Sequence, residues 1–176
     1  MRAPPKPTLG ALNSGGREAF VAALGPLFEH SPWVASETYD RRPFADAESL
    51  YGALCSTMRA ASPERQLALV RAHPDLAGRL AQAGELTASS AHEQSVAGLD
   101  RLGPEETAEI SRLNDAYKAR FGFPFVICAR LNAKAAILAA MRARLGHGPE
   151  AELSTALNEI AKIAQLRLND SLAKEN

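Results

Sequence analysis

Apolar residues recur at three- and four-residue intervals along nearly the whole chain, and prolines and glycines cut that pattern into short segments. A period near 3.6 belongs to a helix with one buried face, so the pattern confines the chain to helix-on-helix packing. Phe20, Val21, Leu24, Leu27 and Phe28 form such a stripe and predict a first helix from about Gly16 to Glu29. A short element around Pro32–Ala35 follows, then a break at Arg42-Pro43-Phe44. Asp46 reads as the N-cap of a helix carrying Leu50, Leu54 and Met58, and Ser62-Pro63 reads as a cap with proline at the first helical position. Pro74 stops the helix that Pro63 starts. A short helix over about 76–83 is expected to end at Gly84, and Thr87 or Ser89 to cap the next. Pro104-Glu105-Glu106 opens a helix that Gly122 closes. Residues 121–128 are apolar and interrupted by Pro124, which predicts a buried extended linker, followed by a helix from about Ala129 to Leu145 and a last one from about Glu150 to Ser171. No alternating strand pair occurs. The expected architecture is all-α: one compact helical domain of eight or nine helices over residues 11–176, no sheet, and a disordered tail over 1–10.

Composition narrows the function classes. Of 176 residues, 46% are hydrophobic and 23% charged, ordinary for a soluble domain, and 20 basic residues balance 20 acidic ones. That balance gives no electrostatic footprint for nucleic acid or an anionic membrane. Cys55 and Cys128 lack metal-ligand spacing and sit in apolar surroundings, where inert buried thiols are expected. No run of eighteen apolar residues is present and the start lacks the apolar core of a signal peptide, so a cytoplasmic protein is expected.

Two short stretches carry candidate chemistry. In Arg71-Ala72-His73-Pro74-Asp75-Leu76-Ala77-Gly78 the proline pushes His73 out of helical geometry, so the imidazole projects from a helix end. In Ser90-Ala91-His92-Glu93-Gln94, positions 90, 93 and 94 share one helical face. A hydroxyl, a carboxylate and an amide beside a proton donor make a polar pocket. The same residues admit a structural account: Ser90-x-x-Glu93 is also a helix capping box, His73 a hydrogen-bonded helix-end histidine, and Asp75 the cap of a helix starting at Leu76.

Six segments in order resemble a known family. They are Ser31-Pro32-Trp33-Val34-Ala35, Arg42-Pro43-Phe44, His73–Gly78, Glu93-Gln94-x-x-Ala97-Gly98-Leu99, Leu113-Asn114-x-x-Tyr117-x-x-Arg120-Phe121-Gly122-Phe123-Pro124-Phe125-Val126-Ile127-Cys128, and Glu159-Ile160-x-x-Ile163-x-x-Leu166-Arg167-Leu168. Together they resemble 2-oxo-4-hydroxy-4-carboxy-5-ureidoimidazoline decarboxylase, an enzyme of urate degradation, over about Leu12 to Leu172. The resemblance implies an all-helical fold, no cofactor and no metal, a small-molecule substrate, a homodimer, and release of S-allantoin and carbon dioxide. Carried over position by position, it implies His73 as proton donor with Glu93 as its catalytic partner. It also implies a substrate site made of Pro74, Ser90, Ala91, His92, Glu93, Gln94, the strip Phe125-Val126-Ile127-Cys128-Ala129, and Arg167. His92, in a variable spot of the motif, reads better as a solvated helix residue than as a second catalyst.

Two other classes compete. A metal-dependent hydrolase would use His73, Asp75, His92 and Glu93, but no H-E-x-x-H or comparable spacing occurs. A non-catalytic helical binding module would bind without turnover. A serine hydrolase through Ser90 lacks the G-x-S-x-G elbow.

Overall fold

The structure, a computed structural model, describes residues 5–78, 81 and 83–173. Among these are nine α-helices and three short 3₁₀ turns, Ala81 and Ala83 are also helical, and there is no strand. The helices are α1 (Leu9–Ser14), α2 (Arg17–Leu24), α3 (Trp33–Thr38), α4 (Ala47–Ala60), α5 (Pro63–Arg71), α6 (Ala88–Val96), α7 (Pro104–Phe121), α8 (Lys134–Arg144) and α9 (Pro149–Ser171). No described helix is long and apolar enough to cross a membrane.

The chain groups into two compact units, with α5 and α9 contributing residues to both. One comprises the residues before Val70 together with those from Ala161 onward; the other is Val70–Ile160.

In the first unit, α1 starts at Leu9, inside the stretch expected to be a tail, because the Thr8 hydroxyl accepts the Ala11 N–H at 3.1 Å. The helix expected over 16–29 ends early. Pro26 has no N–H to continue the ladder, so α2 stops at Leu24 and Gly25–Leu27 tightens into a 3₁₀ turn. Asp46 caps α4 as expected, and Ser49 returns a bond to the cap, closing a reciprocal box. The Arg42-Pro43-Phe44 break is a tie-down. Arg42 Nη1 donates to the carbonyls of Asn13 and Gly15, both at 2.8 Å, and Asn13 bonds the backbone of Phe44 in both directions. Phe20, Leu24, Val34, Leu50, Leu54 and Met58 are among the buried apolar side chains of this unit, each at most 1% exposed. Cys55 is buried there as a free thiol, and burial pushes its pKa up.

In the second unit, Gly103 and Glu106 open α7, and Gly122 closes it at φ +74°, a left-handed conformation that glycine adopts without cost. Ile110, Leu113 and Tyr117 form its buried stripe. Residues 124–128 are neither helix nor strand and are buried, as expected of a linker. The helix expected from Ala129 begins later: Ala129–Leu131 is a 3₁₀ turn, Asn132 is extended, and α8 starts at Lys134. Leu76 and Ala77 lie in a turn, so the short helix expected over 76–83 starts later; Ala81 and Ala83 are helical and Gly84 follows at φ +72°, as expected, and the rest of that stretch is outside the described residues.

Candidate active site

Pro74 ends α5 at Arg71, and the His73 N–H closes the last turn onto the Val70 carbonyl at 3.2 Å. His73 is buried, 8% exposed, and together with Pro74 it lines a cleft of about 640 Å³ whose other walls include Arg71, Asp75, Asn114 and Lys118. Three side chains hold the segment that follows. Lys118 Nζ meets the Asp75 carboxylate at 2.5 Å, Asn114 Nδ2 donates to the Leu76 carbonyl at 2.9 Å, and the Ala77 N–H donates to Gln94 Oε1 at 2.8 Å. Asp75 therefore spends its carboxylate on α7.

The last of these ties holds strained backbone. Ala77 has φ +46°, a left-handed conformation costing a non-glycine residue on the order of 1 kcal/mol. Gly78 is required for a different reason: a Cβ there would stand 2.6 Å from the Asp75 Cβ, closer than atoms can approach. The run His73–Gly78 thus spells a tight, side-chain-clamped turn that presents an imidazole to a cleft.

The opposing helix, α6, starts earlier than a capping role for Ser90 requires. Thr87 is the N-cap, its hydroxyl accepting the Ser90 N–H at 3.3 Å, so the Ser90-x-x-Glu93 capping box is not used. Ser90, Glu93 and Gln94 are all buried, at 5%, 8% and 6% exposure, while Ala91 and His92 are exposed. One face of α6 therefore buries a hydroxyl, a carboxylate and an amide. Ala91 and Gln94 also line a second cleft of about 390 Å³ in this unit.

Phe125, Val126, Ile127, Cys128 and Ala129 are all buried. The strip is held from behind. Arg144 Nη1 donates to the Val126 carbonyl at 2.9 Å, and the Cys128 N–H donates to Glu159 Oε2 at 2.8 Å. Arg144 also lies over the Phe125 ring, 4.2 Å from its centroid, and Nε donates to Glu152 Oε1 at 2.7 Å. Glu152 is fully buried and takes two further partners, the Tyr117 hydroxyl and His147 Nδ1. Burial, then the neighbouring Glu152 carboxylate, pushes the Tyr117 pKa well above the ordinary phenol value. At Ile127 neither backbone group has a hydrogen-bond partner among the described residues, which leaves a buried N–H and C=O available to a ligand.

Arg167 belongs to the other unit. It is buried, 6% exposed, and Nη1 donates to Glu29 Oε2 at 3.0 Å and to the Pro26 carbonyl at 3.2 Å.

Residues 13–169 match the family model for OHCU decarboxylase. The chain belongs to the OHCU decarboxylase family. Curated relatives of that family include a 2-oxo-4-hydroxy-4-carboxy-5-ureidoimidazoline decarboxylase of Halalkalicoccus jeotgali, 42% identical over 93% of this chain and 90% of its own length. Another, of Amia calva, is 45% identical over 90% of this chain and 91% of its own. Among solved structures, a crystal structure of (S)-allantoin synthase aligns with a TM-score of 0.78 at 28% identity, covering 97% of this chain and 55% of that one.

Within this OHCU decarboxylase frame, the hydrolase alternative gains nothing from the geometry. Among the described residues, no three His, Cys, Asp or Glu side chains gather as a metal site. Reading the sequence overlooked the supports: Asn114 and Lys118 behind the His73 turn, Arg144, Glu152 and Glu159 behind the strip. Asn114, Glu152 and Glu159 did leave a trace, as polar residues on the buried stripes of α7 and α9. A polar group on an apolar stripe marks a partner elsewhere in the fold.

Proposed function

We infer that this chain decarboxylates 2-oxo-4-hydroxy-4-carboxy-5-ureidoimidazoline, releasing carbon dioxide and S-allantoin. Family membership supports the activity; within the molecule, the observation that carries it is the buried His73 on the wall of a cleft, fixed by the clamped turn that follows it.

The substrate holds a hydroxyl and a carboxylate on one ring carbon, beside an imine carbon that bears the ureido arm. When the carbon–carboxylate bond breaks, its electron pair moves into the adjacent C=N, whose nitrogen takes up a proton, so the substrate is its own electron sink and the reaction needs no cofactor. The hydroxyl loses its proton and becomes the new ring carbonyl. The carbon bearing the ureido arm gains a proton, and delivery to one face sets the S configuration.

Histidine suits that delivery, since an ordinary imidazole titrates near neutral pH. His73 is the donor, and Glu93 takes the hydroxyl proton. Gln94 has its Oε1 engaged by Ala77, so its amide NH₂ is the end that faces substrate oxygen. The Ile127 backbone and the neighbouring strip read the amide edges of ring and arm.

The test is to generate the substrate from urate in situ and follow the optical rotation of the allantoin formed. Added protein should speed appearance of dextrorotatory S-allantoin. Racemic allantoin at the uncatalysed rate would overturn the reading.

A further inference from the structure

Asn114 is a polar group of the His73 cleft that the reaction as described leaves idle. It stands on α7 one turn before Lys118 and lines the cleft with His73 and Pro74. It is buried, 4% exposed, among apolar neighbours of the same helix face. Its Nδ2 donates to the Leu76 carbonyl at 2.9 Å. A carbonyl only accepts, so this bond fixes which end of the amide is nitrogen. Oδ1 is then the spare end, and it has no hydrogen-bond partner among the described residues.

Burying an amide oxygen without a donor is costly, and proteins seldom tolerate it without a use. The cationic neighbours are directed elsewhere: Arg71 Nε donates to the Gly122 carbonyl at 2.8 Å, and Lys118 Nζ to Asp75. Asn114 lines the cleft, and its unpartnered end is an acceptor, which calls for an N–H on the ligand. The proton from His73 goes to the carbon that bears the ureido arm, so that arm, rich in N–H groups, is anchored next to the wall His73 shares with Asn114.

We propose that Asn114 is a specificity residue of this site, its Oδ1 accepting a hydrogen bond from the ureido arm of substrate and product. The inference rests on the decarboxylase reading. It gives Asn114 two ends with separate tasks, the nitrogen for holding the His73 turn and the oxygen for recognising the ligand.

Titration calorimetry with S-allantoin and with hydantoin, the same ring without the arm, separates the two tasks. The wild-type protein should bind S-allantoin more tightly than hydantoin. Asn114→Leu should weaken S-allantoin about tenfold, leave hydantoin within twofold, and raise KM by a factor close to the loss in S-allantoin affinity. Asn114→Asp keeps an oxygen at the recognising end and loses the donor to Leu76. It should retain the preference for S-allantoin while kcat falls, and it decides the matter if the leucine variant does not fold. Equal weakening of both ligands by Asn114→Leu, no weakening of either, or loss of the preference in Asn114→Asp would each overturn the assignment. A wild-type protein that neither binds S-allantoin nor forms it defeats the decarboxylase reading itself, and this inference with it.

Discussion

The turn at 73–78 and the strip at 125–128 are both irregular backbone in the Val70–Ile160 unit, but they are held by different chemistry. The turn is tied by two neutral amides, Gln94 and Asn114, and by the part-exposed Asp75–Lys118 pair. The strip is tied by buried ions, with Arg144 on the Val126 carbonyl, Glu159 on the Cys128 N–H, and Glu152 anchoring Arg144 from a fully buried position. Neutral hydrogen bonds contribute about 1 kcal/mol each, whereas breaking a buried ion pair strands a charge in low dielectric and costs several. The difference suits the two tasks. On the proposed reading, the turn that presents His73 as proton donor is the lightly held segment, and the strip that would read the ligand is the stiffly held one.

Four substitutions test this contrast. His73→Ala should lower turnover by about 10² to 10⁴, roughly 3–5 kcal/mol of transition-state stabilisation, with helical circular dichroism unchanged. Turnover above half the wild-type value would remove His73 from the chemistry and leave the turn without its purpose. Glu152→Gln should cost about 3–5 kcal/mol of stability by urea unfolding, because it leaves Arg144 buried with its charge uncompensated. A loss below about 1 kcal/mol would show that the strip is no more stiffly held than the turn.

Gln94→Leu leaves the strained Ala77 N–H without its acceptor and should cost about 1–2 kcal/mol, with a fall in kcat beyond what the folded fraction explains. Full turnover per folded molecule would show that the left-handed turn holds itself. The smallest effect is expected at Lys118→Ala. The pair it breaks is 42% and 24% exposed, so less than about 1 kcal/mol should be lost, and raising the salt concentration should have a similar effect on the wild-type protein.

Two arginines show how far the sequence reaches. The family pattern marks Arg167 as a site arginine, and the structure finds it buried on Glu29 and Pro26. Arg144 is not legible: it lies two residues after Arg142 near a helix end, where arginines are usually solvated. Its burial depends on Glu152, on the turn between α8 and α9 that brings the two together, and on the Val126 carbonyl. The 16–29 and 129–145 segments teach the same lesson at the level of helices. The apolar stripe is present in both, but Pro26 and the Asn132 break shorten the helices beneath it.

The sequence by itself determined the helical class, most caps and stops, the family pattern, and the projection of His73 from a helix end. Those depend on residues within a few positions of one another, where backbone sterics and the 3.6-residue period act directly. Only the tertiary structure decided which buried polar groups meet. Ala77 with Gln94, Leu76 with Asn114, Val126 with Arg144 and Cys128 with Glu159 are separated by 17, 38, 18 and 31 residues. No local propensity encodes such pairings; they follow from the packing of helices whose buried faces each carry a polar group in need of a partner.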